Sequence, residues 1–156
     1  MEFDLIDRKI VARLMADATI PVGRLAAEVG LSQTPCWKRV QKLKARGVIR
    51  AHVAVVDPEA MGFALTVFAT VEAPDASAAW QERFARVVAA VPEVMDAYRL
   101  AGPTHYLLRL VVRDIAGFDL AAQAIRDALP VRAIIAQFAT ERVKQASVLP
   151  IDTSRH

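Results

Sequence analysis

Between Ser32 and Val56 the chain carries Lys38, Arg39, Lys42, Lys44, Arg46 and Arg50 and no acidic residue. Cations at this density do no covalent chemistry of their own. They hold a polyanion, above all the phosphate backbone of a nucleic acid. The spacing adds direction: at about 100° per residue, Cys36, Val40 and Leu43 share one face of a helix. Thr34, Lys38, Gln41 and Lys42 share the opposite face. One face then packs on a core while the other presents short polar side chains and cations, as a DNA-recognition helix must. Thr34, Lys38, Gln41 and Lys42 are the expected base and phosphate contacts, and Arg39, Lys44, Arg46 and Arg50 the flank or backbone contacts. Ser32 and Gln33 would offer the helix N-terminus to a phosphate. Trp37, beside the polar face, is expected to pack against the first helix or the following strand rather than touch DNA. The plainer reading of the same pattern is a solvated basic face on a surface helix.

Little else in the sequence suggests chemistry. His52, His105 and His156 lie far apart, and no Cys/His/carboxylate spacing suggests a metal site. None of the six glycines builds a phosphate-cradling loop. No enzyme, cofactor or metal is therefore expected; the rival classes are a small dimeric α+β-barrel enzyme or an effector-binding protein. Cys36, the single cysteine, forms no internal disulfide and suits a reducing compartment. The opening MEFDLIDRKI has acids where a signal peptide has cations, and no run approaches the roughly 18 apolar residues of a membrane span. A soluble, cytoplasmic protein is expected.

The elements that must position the basic helix emerge from patterning. The 156 residues are 54% hydrophobic and 24% charged, enough for one ordinary domain or two small ones. Residues 1–50 hold ten Lys/Arg against five Asp/Glu, and residues 51–156 ten against twelve, so only the first part is suited to a polyanion. Asp4 or Asp7 caps a first helix striped by Leu5, Ile6, Ile10, Val11 and Leu14 and ending near Asp17. Pro21 precedes a second helix that Gly30 interrupts; Ser32 caps the third, which runs to about Arg46 and ends at Gly47. Residues 1–50 thus form a three-helix helix-turn-helix domain. Val48–Val56 reads as a β-branched strand, a wing or a connector, so residues 51–62 are strand and linker.

Beyond Gly62 the pattern becomes βαββαβ. The expected elements are a strand Phe63–Ala73 and a helix opened by Pro74-Asp75 with Trp80, Phe84, Val87, Val88 and Val91 inward. Strands Val94–Leu100 and His105–Val112 come next as a hairpin. A helix capped by Asp114, with Ile115, Phe118, Ala122, Ile125 and Leu129 inward, leads to a last strand Val131–Val143. This predicts an α+β chain whose residues 63–146 form a ferredoxin-like domain with both helices on one face of an antiparallel sheet. Residues 147–156 read as a polar tail. The other sheet face is expected to carry Ala64, Thr66, Phe68, Arg99, Leu107, Arg109, Val111, Ala136 and Phe138, or their alternates, and to meet a partner chain.

With both halves placed, the sequence resembles the Lrp/AsnC (leucine-responsive, feast/famine) family of transcriptional regulators. The resemblance rests on Leu5–Ile10, Leu25–Ser32, Pro35–Val40, Leu43, Gly47-Val48-Ile49, Glu141–Lys144 and Leu149-Pro150, in order and at family spacing. It implies a winged-type helix-turn-helix for DNA and a C-terminal domain that dimerises and binds small effectors, usually amino acids. It also implies dimers that assemble to tetramers or octamers. The family's Gly-Asp-Tyr-Asp-Tyr hairpin, whose loop helps form the effector pocket, stands here as Gly102-Pro103-Thr104-His105-Tyr106. Both acids are gone, so this loop offers no anion to an effector's ammonium group, and the pocket either takes a different ligand or is empty. His105 is a ligand contact, a pH-sensitive group or an ordinary strand-start histidine.

Overall fold

The computed structural model describes residues 3–102 and 105–154. The chain divides into two compact units: residues up to Val55 with those from Val143 onward, and Val56–Arg142. Residues 143–154 therefore group with the first unit.

The first unit holds α1 (Leu5–Ala16), α2 (Val22–Glu28) and α3 (Gln33–Ala45). Of the two candidate caps for α1, Asp4 is the one used: its Oδ1 accepts the Asp7 N–H at 2.8 Å. Pro21 stands immediately before α2, where a missing N–H costs nothing. Gly47 leaves α3 with φ +69, a left-handed conformation that side chains resist, and its N–H bonds to the Lys44 carbonyl. Ile10, Leu25, Ala26, Val29, Cys36, Val40 and Leu43 form the core, so the apolar face read for α3 is the buried one. Each fully buried aliphatic side chain is worth about 1.5–3 kcal/mol against leaving it in water.

The segment after Gly47 departs from expectation. Val48 and Ile49 turn back so that both N–H groups reach the Leu43 carbonyl, at 3.0 and 3.3 Å, and both side chains lean on the core. Residues 51–57 form no strand, and Val53 and Val55 are more than 70% exposed. β-branched residues favour an extended backbone, but a strand also needs a ladder partner. Among the described residues no strand pairs with this segment.

The second unit runs β1 (Leu65–Glu72), α4 (Ala78–Ala90), β2 (Val94–Arg99), β3 (His105–Val112), α5 (Ile115–Ala128) and β4 (Ala133–Phe138). All pairings are antiparallel, in the order β2-β3-β1-β4. Val67, Ala69 and Val71 on β1 and Leu108 and Leu110 on β3 are buried with Phe84, Val88, Phe118 and Ile125 of the two helices. Trp80, Phe84 and Tyr106 cluster with centroids 4.5–5.4 Å apart, and the Trp80 indole donates to the Pro130 carbonyl at 2.7 Å.

Several boundaries and phases are corrected. Helix α4 starts at Ala78 with Ser77 as its cap, while Asp75 accepts the Ser77 N–H one turn earlier. Phe63 lies outside β1, and Ile115, the first residue of α5, is 59% exposed. Ala136 and Phe138 oppose Ala69 and Val67 on the helix-covered face, where Phe138 meets Phe118 edge-on at 5.7 Å. Ile135 and Gln137 occupy the open face instead. The run Ala133-Ile134-Ile135-Ala136 is apolar in both parities, so alternation cannot fix its phase. Arg99 also changes sides. It opposes Tyr106 and donates to Gln81 of α4, because a register shift between Val94 and Asp96 inserts one residue and inverts the facing of the rest of β2.

Candidate nucleic-acid interface

Helix α3 carries the candidate contacts. Ser32 occupies its N-cap position with an extended backbone (φ −78, ψ 161), but its hydroxyl makes no capping bond. Gln33, Thr34, Lys38, Gln41 and Lys42 are all exposed, opposite the buried Cys36, Val40 and Leu43. Burial pushes the Cys36 thiol up from its ordinary value, as suits a small hydrophobe rather than a nucleophile. No acid interrupts α3, so its exposed face has one sign of charge.

Arg39 stands apart from the other candidate contacts. Its Nη1 lies 2.6 Å from Asp4 Oδ2 and 2.8 Å from Asp7 Oδ1, tying α3 to the start of α1. The Asp7 backbone N–H and then the Arg39 guanidinium hold the Asp4 carboxyl below its ordinary value. Hydrogen bonds to Asp4 and then Asp7 hold Arg39 above its own. This cation already has two counter-charges and is not a free flank contact. Of the two cap candidates Asp4 and Asp7 only one can cap α1, and the acid left over was the available signal for it. Arg46 likewise stands over the Phe3 ring at 5.3 Å, although it remains exposed.

Lys44 and Arg50 line a shallow cleft with Ile49, Ala51 and His52, beyond the end of α3. Trp37 is half covered, with 52% of the residue exposed.

In the second unit, Gly102 has φ +118, and Pro103 and Thr104 lie outside the described residues. His105 is exposed and stands opposite Glu72 across the β1–β3 pair. Tyr106 commits its ring to the core, only 7% exposed. Asp96, the nearby acid that could stand in for the missing loop carboxylates, accepts from Arg109 Nε at 2.6 Å and so is already compensated.

The AsnC-type helix-turn-helix domain matches residues 3–44, and the Lrp/AsnC ligand binding domain matches residues 66–149. The chain belongs to the Lrp/AsnC family. It is 37% identical over 150 residues to the DNA-binding transcriptional activator DecR of Escherichia coli K12, covering 96% of this chain and 99% of that protein. A crystal structure of an AsnC family transcriptional regulator from Agrobacterium tumefaciens has 41% identity and TM-score 0.89, covering 98% of this chain and 100% of that one. A transcriptional regulator from Neisseria meningitidis, solved as a complex with L-Met, has 27% identity and TM-score 0.87, covering 97% and 98%. This Lrp/AsnC chain is thus a DNA-binding transcriptional regulator with the helix-turn-helix and α+β domains of its relatives. Among its described residues no helix is long and apolar enough to cross a membrane, and no three His, Cys, Asp or Glu side chains gather as a metal site.

Proposed function

We propose that this regulator, a cytoplasmic protein without catalytic activity, reads DNA with the exposed face of α3. Thr34 and Gln41 contact bases; Lys38, Lys42, Lys44 and Arg50 contact phosphates. The observation that carries this reading is the acid-free exposed face of α3 backed by the buried Cys36, Val40 and Leu43. Ser32 and Gln33 add the helix N-terminus as a phosphate cradle. A chain making on the order of 6–10 phosphate contacts as a dimer loses about 10³–10⁵ in affinity between roughly 50 and 200 mM salt. Fluorescence anisotropy across that range is the test, and a salt-independent affinity would refute it.

The regulator works as a dimer through the open sheet face, with higher assembly to tetramers or octamers built on it. Phe68, Tyr98 and Ile135 on that face are 38%, 58% and 62% exposed, apolar surface that a second copy would cover. An effector of the amino-acid class binds at the segment from Gly102 to Tyr106. The segment has no carboxylate of its own, Asp96 is taken by Arg109, and Glu72, opposite His105, lies 3.5 Å from Arg132, so a bound ammonium group would be poorly compensated. Response to leucine, methionine and other neutral amino acids is therefore weak. Calorimetric binding of any of them tighter than about 0.1 mM, roughly −5.5 kcal/mol, and lost on changing His105, would show that the pocket kept that ligand class.

A further inference from the structure

We propose that Trp37 is a specificity-determining residue that enters the major groove with Thr34 and Gln41 and reads a base pair there. The inference rests on the reading of α3 as the DNA-facing helix. The two tryptophans of the chain are held in opposite ways. Trp80 is 6% exposed with its indole N–H satisfied by the Pro130 carbonyl, whereas Trp37 is 52% exposed. Indoles are highly buried on average, so one held half in solvent on a binding helix marks a surface that is covered in use.

Its position identifies the occupant. Thr34, Trp37 and Gln41 are spaced i, i+3, i+7 and stack along one side of α3, with Trp37 at the edge of that row nearest the buried Val40. Lys38 and Lys42 flank this row on one side and Lys44 on the other. An apolar protein surface would desolvate those three ammonium groups without a counter-charge, but a nucleic acid supplies the charge in its phosphates. Helical side chains lean toward the N-terminus, so Trp37 covers the turn of Gln33 and Thr34, the end of a recognition helix that meets base edges. The indole brings two features to a groove. Its ring is an apolar plane for the thymine methyl, and its Nε1–H, a donor with no acceptor capacity, suits purine N7 or O6.

The test uses the full chain. Wild type, Trp37→Ala and Trp37→Phe are each used to select binding sites from a random DNA pool, and the wild-type site is then measured by anisotropy against unrelated DNA. Near-ultraviolet circular dichroism checks the fold. Trp37→Ala is expected to bind the selected site 10–100-fold more weakly and unrelated DNA within threefold, with an unchanged salt slope and lost preference at one or two positions. Trp37→Phe, which keeps a ring and loses the donor, falls between. In 5-fluorotryptophan-labelled protein, the ¹⁹F signal absent from Trp37→Phe should move when the selected DNA is added. An unaltered preference in Trp37→Ala, or equal losses on both DNAs, would overturn the proposal. So would a Trp37 signal that shifts on protein dilution without DNA, which would place a second copy of the chain over it. A wild-type chain that enriches no sequence would overturn the reading of α3 itself, and this inference with it.

Discussion

Arg39→Ala separates a residue that holds the recognition helix from residues that hold DNA. The Arg39 side chain is 32% exposed, Asp4 51% and Asp7 13%, so the two ion pairs are not equivalent. Losing the outer pair with Asp4 costs about 0.5 kcal/mol, the ordinary worth of a solvated pair. Losing the inner one leaves the mostly covered Asp7 carboxylate without its cation, which costs about 1–3 kcal/mol. Together the change is about 1.5–3.5 kcal/mol, enough to lower the melting of a unit of this size by roughly 6–28 °C. Thermal unfolding followed by circular dichroism measures that directly. The discriminating assay is DNA affinity against salt. Because Arg39 already has its counter-charges, Arg39→Ala should weaken binding through the misplaced helix while leaving the slope of log K on log salt unchanged. A slope reduced by about one with melting unchanged would instead make Arg39 a phosphate contact, and the reasoning would be wrong.

Lys42→Ala is the matched opposite: unchanged melting, weaker binding to all sequences and a salt slope smaller by about one. Asp4→Asn tests the cap by pH. The Asp4 carboxyl lies below its ordinary 3.8, so its stabilisation is complete above that value and lost as pH falls through the lowered one. The stability gap between wild type and Asp4→Asn in urea titrations should be constant from about pH 5 to 8 and close below about pH 4; a gap that widens in acid would reverse the sign. Ile135→Glu places a charge on the open sheet face, where it stays hydrated in a single chain but is desolvated in a dimer. Sedimentation should show a folded protein shifted toward monomer, and an unshifted dimer would put the interface elsewhere.

The helices were legible because their signals are local. Asp4, Gly30, Gly47 and Asp114 each act within a few residues, and the apolar stripe of α3 has one unambiguous face. The sheet face was less legible. The phase of β2 hangs on one extra residue between Val94 and Asp96, and β4 is apolar in both parities, so its side was decided by Phe118 across the core. Val48–Val56 failed for a related reason: β-propensity describes a residue's fit to a sheet, and the sheet must exist beside it.

The same distinction governs the DNA-facing helix. Helical periodicity assigns a side chain to a face, but it does not say what other elements bring to that face. Arg39 and Lys38 are neighbours of like charge in the sequence, and only the fold shows that α1 delivers two carboxylates to one of them and none to the other. Trp37 is the converse case, an aromatic that the fold leaves half uncovered. A cation already neutralised within the chain displaces few of the counterions condensed on DNA, whereas an indole left half in water still has burial to gain. The energetic division of α3 therefore runs between residues satisfied inside the protein and residues still lacking a partner, and only the second group is available to choose a sequence.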